Sequence, residues 1–158
     1  MDVKISTEKE AFKMRVAGCV IKDDKLLTVN ICDNGFYCLP GGHVHVGESS
    51  AEAVEREIGE EVGVTIENKT LISIIENFFT GKNGKKYHEV CYYYVITPKE
   101  DMKTEDYSIV ENDEGELKNL EFKWVKLDEI DKVDFRPSIL KGQLKNKDFA
   151  FKHIIYGD

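Results

Sequence analysis

The sequence predicts a fold of the α/β (α+β) class, a mixed β-sheet with few helices, in a single domain over residues 1–158. Three observations carry this. Runs rich in β-branched and aromatic residues occupy both halves of the chain, one amphipathic stretch from Ser50 to Val62 reads as a helix, and no linker or internal repeat divides the whole. With 158 residues, 41% of them apolar, the chain is long enough to bury one core.

The elements follow in order. "KMRVAGCVI" from Lys13 and "KLLTVNI" from Lys25 read as strands joined by a tight turn at Asp23-Asp24. "GFYCLPGGHV" is extended and broken at Pro40-Gly41-Gly42, where missing side chains let backbone come close to a neighbour or ligand. Ser49 is a good helix N-cap, Glu52 three residues on completes a capping box, and Gly63 is a stop. "TLISIIENFFT" and "HEVCYYYVIT" form a hairpin about the polar turn from Gly81 to Lys86. "DYSIVENDEGELKN" is polar and acid-rich and reads as a loop, whereas "LEFKWVKLDEI" is a strand entering a turn or short helix. The tail from Pro137 reads as a helix that buries Ile139, Leu140 and Leu144.

A net charge of −8 disfavours binding nucleic acid through its phosphates. A phosphorylated small molecule stays compatible, because bound cations reverse the local sign. The first residues lack the apolar run of a signal peptide, and no stretch approaches the ~18 apolar residues of a membrane span. Cys19, Cys32, Cys38 and Cys91 show no C-x-x-C spacing and read as reduced thiols. The expected location is the cytoplasm.

At about 100° per residue, Ala51, Val54, Ile58 and Val62 fall on one stripe of the helix, its expected core face. Glu57, Glu60 and Glu61 fall on another, about a quarter turn away, with Arg56 four residues before Glu60. Grouped carboxylates offer oxygen ligands to a hard divalent cation; the ordinary alternative is an acidic face turned to water. Gly59 leaves room for another element to pack closely.

The wider spacing separates these readings. Gly42, five residues, Glu48, seven residues, Arg56-Glu57-Ile58, one residue, Glu60-Glu61, one residue, Gly63-Val64 resembles the Nudix hydrolase signature at every fixed position. Leu39-Pro40 ahead of it, and Trp124-Val125 before Leu127-Asp128-Glu129, are also similar to that family, so the resemblance runs from about Lys13 to Ile130. It implies an α/β/α sandwich with the motif as loop–helix–loop. It implies a Mg²⁺- or Mn²⁺-dependent pyrophosphohydrolase that cleaves a nucleoside diphosphate linked to a group X, such as a (d)NTP, ADP-ribose or a dinucleoside polyphosphate. Glu57, Glu60 and Glu61 would be metal ligands, with the Gly42 carbonyl and one glutamate from across the site. For that glutamate Glu116 is chosen, with Glu114 and Glu121 as alternatives. Glu57 is the first choice of base, and Arg56 and Glu48 would orient the ligands.

His43 and His45, two apart on an extended segment, point to one side and are candidates for metal or phosphate; many relatives carry an acid where this chain has His45. Arg15, Lys13 and Arg136 are candidates for phosphate contacts, and His88-Glu89 and Glu76-Asn77 are polar pairs that could face the site. The aromatics Phe36, Tyr37, Phe78, Phe79, Tyr92, Tyr93 and Tyr94 suffice to stack a base, although alternate strand positions fill a core regardless of substrate. Two other functions are weighed: a catalytically silent nucleotide-sensing module, which would ordinarily have lost a motif glutamate, and an isoprenoid diphosphate isomerase, for which Cys38 is the candidate cysteine. The family also admits a homodimer.

Overall fold

The computed structural model describes residues 1–157 as a nine-stranded mixed sheet with helices on both faces. The strands are β1 (Lys4–Ser6), β2 (Glu10–Lys22), β3 (Lys25–Ile31), β4 (Gly41–His43), β5 (Ile66–Thr80), β6 (Lys86–Pro98), β7 (Tyr107–Asp113), β8 (Glu116–Lys126) and β9 (Lys152–Gly157). The main path runs β7-β8-β3-β2-β6-β5-β9, with β1 and β4 paired to β2. Helix α1 covers Ser50–Val62, α2 covers Lys141–Lys145, and two 3₁₀ turns span Leu127–Lys132 and Ser138–Leu140.

Strand β2 organises the sheet. It pairs in parallel with β6 from Glu10↔Lys86 to Val20↔Ile96, and its alternating side chains feed two cores. Val16 and Val20 meet Val54 and Ile58 of α1 on one face, while Ala17 and Cys19 meet Leu127, Ile130, Leu140 and Leu144 on the other. The second layer is pinned by a buried polar contact: Ser73 Oγ donates to Gln143 Oε1 at 2.7 Å, and Gln143 Nε2 donates to the Ile72 carbonyl at 3.2 Å.

The turn at Asp23-Asp24 forms as expected, with φ of 50° and 58°, and so does the β5–β6 hairpin about Gly81 to Lys86. Ser49 caps α1 in a capping box and Gly63 ends it at φ 75°.

Two expectations are corrected. The stretch from Asp106 to Asn119 is a hairpin, β7 against β8, closed by Glu114 and Gly115 at φ 52° and 88°, the left-handed pair of a two-residue turn. Its polarity hid the alternation: Tyr107 and Ile109 pack on the first core, whereas Glu111 and Asp113 continue the same face into a cleft. The tail is not one helix. Leu140 and Leu144 are buried, but Ile139 is 43% exposed, α2 stops at Lys145, and β9 follows in parallel with β5.

Candidate active site

Two neighbouring clefts lie beside the Gly41-Gly42 strand. The first, about 290 Å³, is lined by Glu57, Glu60, Glu61, Arg56, Gly41, Gly42, His43, His45, Arg15 and Asp2, and by Glu111, Asp113 and Lys118 from the β7–β8 hairpin. The second, about 620 Å³, has aromatic walls from Phe36, Phe78, Phe79, Tyr93 and Tyr156. Arg15, Ile31 and Leu39 line both, so the clefts meet at a neck.

The acids do not share one environment. Val54, Ile58 and also Ala53 form the buried face of α1, with Ala51 and Val62 partly buried at its margin. Glu57 and Glu61 are buried too, at 7% and 9% exposure, while the Glu60 side chain is 57% exposed. The stripe expected to stand clear of the core is therefore half enclosed, because β4 lays its glycines over it. The Gly41 N–H donates to Glu61 Oε2 at 3.2 Å. A Cβ on Gly42 would stand 2.4 Å from both the carboxyl carbon and Oε1 of Glu57. Gly59 has no such role: a Cβ there would meet nothing within 4 Å, against the expectation of close packing.

Burial raises the pKa of Glu57, and repulsion from Glu60 and Glu111 adds to this against the Arg56 hydrogen bond. Glu61 is pushed up to about 8 by burial, then by Glu57 and Glu111. Arg56 is the counter-charge. Its Nη1 donates to Glu57 Oε1 at 2.7 Å, its Nε and Nη2 grip Glu48 at 2.8 and 3.0 Å, and Nη2 also donates to the His43 carbonyl at 2.9 Å. The hydrogen bond from Arg56 draws Glu48 down to about 2. Glu48 also accepts from the His45 N–H at 2.9 Å, so the pair ties the loop to the helix.

Carboxylates crowded in this way suit a hard cation. Burial and mutual repulsion penalise their charge, and a methyl group at Gly42 would fill the cradle against Glu57. Among the described residues no three acid, imidazole or thiol side chains converge so as to hold a metal ion as they stand; Arg56 meets Glu57 and lies 3.7 Å from Glu60.

The remaining candidates fall in several places. His43 and His45 face the same way, flanking Asp2 at 3.6 and 3.3 Å, and burial lowers His43 to about 4. Glu114 and Glu116 are exposed at the hairpin tip and Glu121 is exposed on β8; none lines the cleft, whereas Glu111 does. Sequence reasoning missed Glu111, Asp113 and Lys118 by reading their strand as a loop; the usable signal was a turn at Glu114-Gly115 between the more distant pairs Tyr107, Ile109 and Leu120, Phe122, whose alternation turns polar toward the tip. Asp2 carries no local signal at all.

Lys13 lies over the Tyr87 ring, 5.0 Å from its centre, and lines neither cleft. Arg136 lines the second cleft, stacked 4.2 Å from the Phe36 ring centre and bound to Asp134. Asn77 and Glu89 line it as well, but Glu76 turns to His153 and His88 stacks on Phe78. Tyr92 and Tyr94 belong to the first core, and Tyr37 lies under Lys123. Cys38 lines the second cleft, but burial lifts its thiol to about 11, a poor setting for a nucleophile.

A family model, the NUDIX domain, matches residues 12–143. An uncharacterised Nudix hydrolase of Bacillus subtilis is 30% identical over 140 residues, covering 84% of this chain and 82% of that one. An ADP-ribose pyrophosphatase of Methanocaldococcus jannaschii is 42% identical over 62 residues, 37% of each chain. The match to a MutT-like protein of Streptomyces ambofaciens, 34% identical, spans 48% of this chain and half (50%) of that relative's length. In fold, the chain is similar to the MutT protein of Bacillus halodurans, with a TM-score of 0.63 at 20% identity over 91% of this chain and 89% of the other. With the motif, the sheet and the matched domain in agreement, the chain belongs to the Nudix hydrolases, enzymes that cleave pyrophosphate bonds.

Proposed function

We propose that the protein hydrolyses a nucleoside diphosphate linked to a further group X, with Mg²⁺ or Mn²⁺ as cofactor. The observation that carries the reading is the crowding of Glu57, Glu60, Glu61 and Glu111 around one cleft that opens, at Arg15, into a larger aromatic one. Glu57, Glu60 and Glu61 would hold the cation, with the Gly42 carbonyl, and Glu111, which lines the same cleft from the β7–β8 hairpin, would be the further acid. When bound there, a divalent cation offsets the charge of the diphosphate and makes a coordinated water more acidic for attack on phosphorus.

The chain's own residues divide the remaining work. Glu48 fixes the Arg56 guanidinium, and Arg56 fixes Glu57 through Oε1 alone. The second oxygen, Oε2, is left free to take the proton of an attacking water, and burial makes that carboxyl a stronger base than an exposed one. Arg15 supplies positive charge where the two clefts meet, and the aromatic walls suit the base or X. The ADP-ribose pyrophosphatase likeness makes ADP-ribose one member of the test panel.

The experiment is release of mononucleotide, with Mg²⁺ or Mn²⁺, from ADP-ribose, dinucleoside polyphosphates, nucleotide sugars and nucleoside triphosphates. At least one is expected to be cleaved, and Glu60→Gln or Glu61→Gln is expected to lower turnover about 100-fold or more in a folded protein. Wild-type protein inert on the whole panel would overturn the hydrolytic reading, and full activity in either variant would remove that residue from the site.

A further inference from the structure

A charged pair stands at the neck between the clefts. Arg15 of β2 lines both clefts, and Glu89 of β6 lines the second. Their closest approach is 3.6 Å, an ion pair without a hydrogen bond, and their side chains are only 30% and 12% exposed. Arg15 Nε is buried with no hydrogen-bond partner, and among the described residues no group donates a hydrogen bond to Glu89. The Glu89 carboxylate is thus half-enclosed at the wall of the cleft with acceptor positions open, and a ligand with hydroxyl donors can fill them.

The position says which part of a nucleotide reaches the pair. With the diphosphate over the acids of the first cleft, the group passing the neck is the one bonded to it, and in a nucleoside diphosphate that is the pentose. An ionised carboxylate only accepts hydrogen bonds. It repels a phosphate but matches two adjacent hydroxyls, one donating to each oxygen. Asn77, the register partner of Glu89 on β5, lines the cleft beside it, so the polar row continues from the sugar toward the aromatic walls.

We infer that Glu89 is a specificity residue that accepts hydrogen bonds from the ribose hydroxyls of the substrate, with Arg15 turned to the adjacent phosphate, so that ribonucleotides are favoured over 2′-deoxyribonucleotides. This rests on the nucleotide hydrolysis proposed above.

The test compares kcat/KM for matched pairs: each ribonucleoside triphosphate with its 2′-deoxy form, and ADP-ribose with 2′-deoxy-ADP-ribose. Wild-type protein is expected to favour the ribo member by about 10- to 100-fold, the range for losing a hydrogen bond to a charged group. Glu89→Gln is expected to bring the ratio to within about 3-fold, and the thermal midpoint shows whether it folds. Glu89→Asp keeps the charge beside Arg15 but withdraws it by one methylene, and it too is expected to shrink the ratio. Equal cleavage of ribo and deoxy members by wild-type protein overturns the inference and leaves the hydrolase standing, as does an unchanged ratio in either folded variant. No cleavage of any pair is a different result, which removes the hydrolytic reading and this inference with it.

Discussion

Gly42 and the carboxylate of Glu57 are in such close register that a single added carbon on the glycine would lie 2.4 Å from the acid. No hydrogen bond links the two; the relationship is steric. Gly42→Ala must displace the Glu57 carboxylate, the mobile end of a side chain that Arg56 otherwise holds in place. The expected result is a drop in turnover of about 10- to 100-fold with a stability change of no more than about 1–3 kcal/mol. Steady-state kinetics beside thermal denaturation separates the two effects.

Gly59 is the contrasting case. It lies inside α1 with open space around its Cα. Gly59→Ala should stabilise the protein by about 0.5–1 kcal/mol, a rise in thermal midpoint of about 1–4 °C, with activity retained. A melting curve and one activity assay suffice.

Glu111 and Glu116 sit on the same face of one hairpin, but only Glu111 lines the acid cleft. Glu111→Gln is expected to lower metal-dependent turnover at least about 10-fold, and Glu116→Gln to leave it within about 2-fold of wild type. The reverse order would return the assignment to the hairpin tip.

The pH dependence of the metal-free protein should carry two opposed signatures. Glu48 is held at about 2 by Arg56, below the ordinary 4.5, so its contribution is present above 4.5 and lost as pH falls toward 2. Glu61 is raised to about 8, so its contribution is present below 4.5 and lost as pH rises through 8. Each window is on the order of a few kcal/mol. In chelator, Glu48→Gln should flatten the acid side of the stability profile and Glu61→Gln the alkaline side, as read by thermal denaturation from pH 3 to 9.

What was legible in the sequence was what neighbours decide. Ser49 and Glu52 announced the start of α1, Asp23-Asp24 announced a turn, and the spacing of Glu57, Glu60 and Glu61 announced a shared site. What was not legible depends on partners distant in the chain. Helical spacing alone could not bury Glu57 and Glu61, because the cover comes from Gly41 and Gly42 folding back across α1. Asp2 reaches the cleft only because Met1 accepts from the Val46 N–H and Val3 donates to the Val44 carbonyl. The β7–β8 hairpin escaped notice for a different reason: the residues it turns inward near Glu111 are charged, so a period of two is present without an apolar face.

The parallel pairing of β2 with β6 bears on how the protein assembles. Glu10 is matched with Lys86 and Val20 with Ile96, so every rung of that ladder closes a loop of many tens of residues before any contact rewards it. The chain emerges from the ribosome with α1 and its acids long before β6 exists. Until that strand arrives, Arg15 has no Glu89 beside it and β2 lacks its central neighbour. Amide protection along β2 and β6 should therefore appear together and late in refolding, and the neck between the clefts should be among the last parts of the molecule to form.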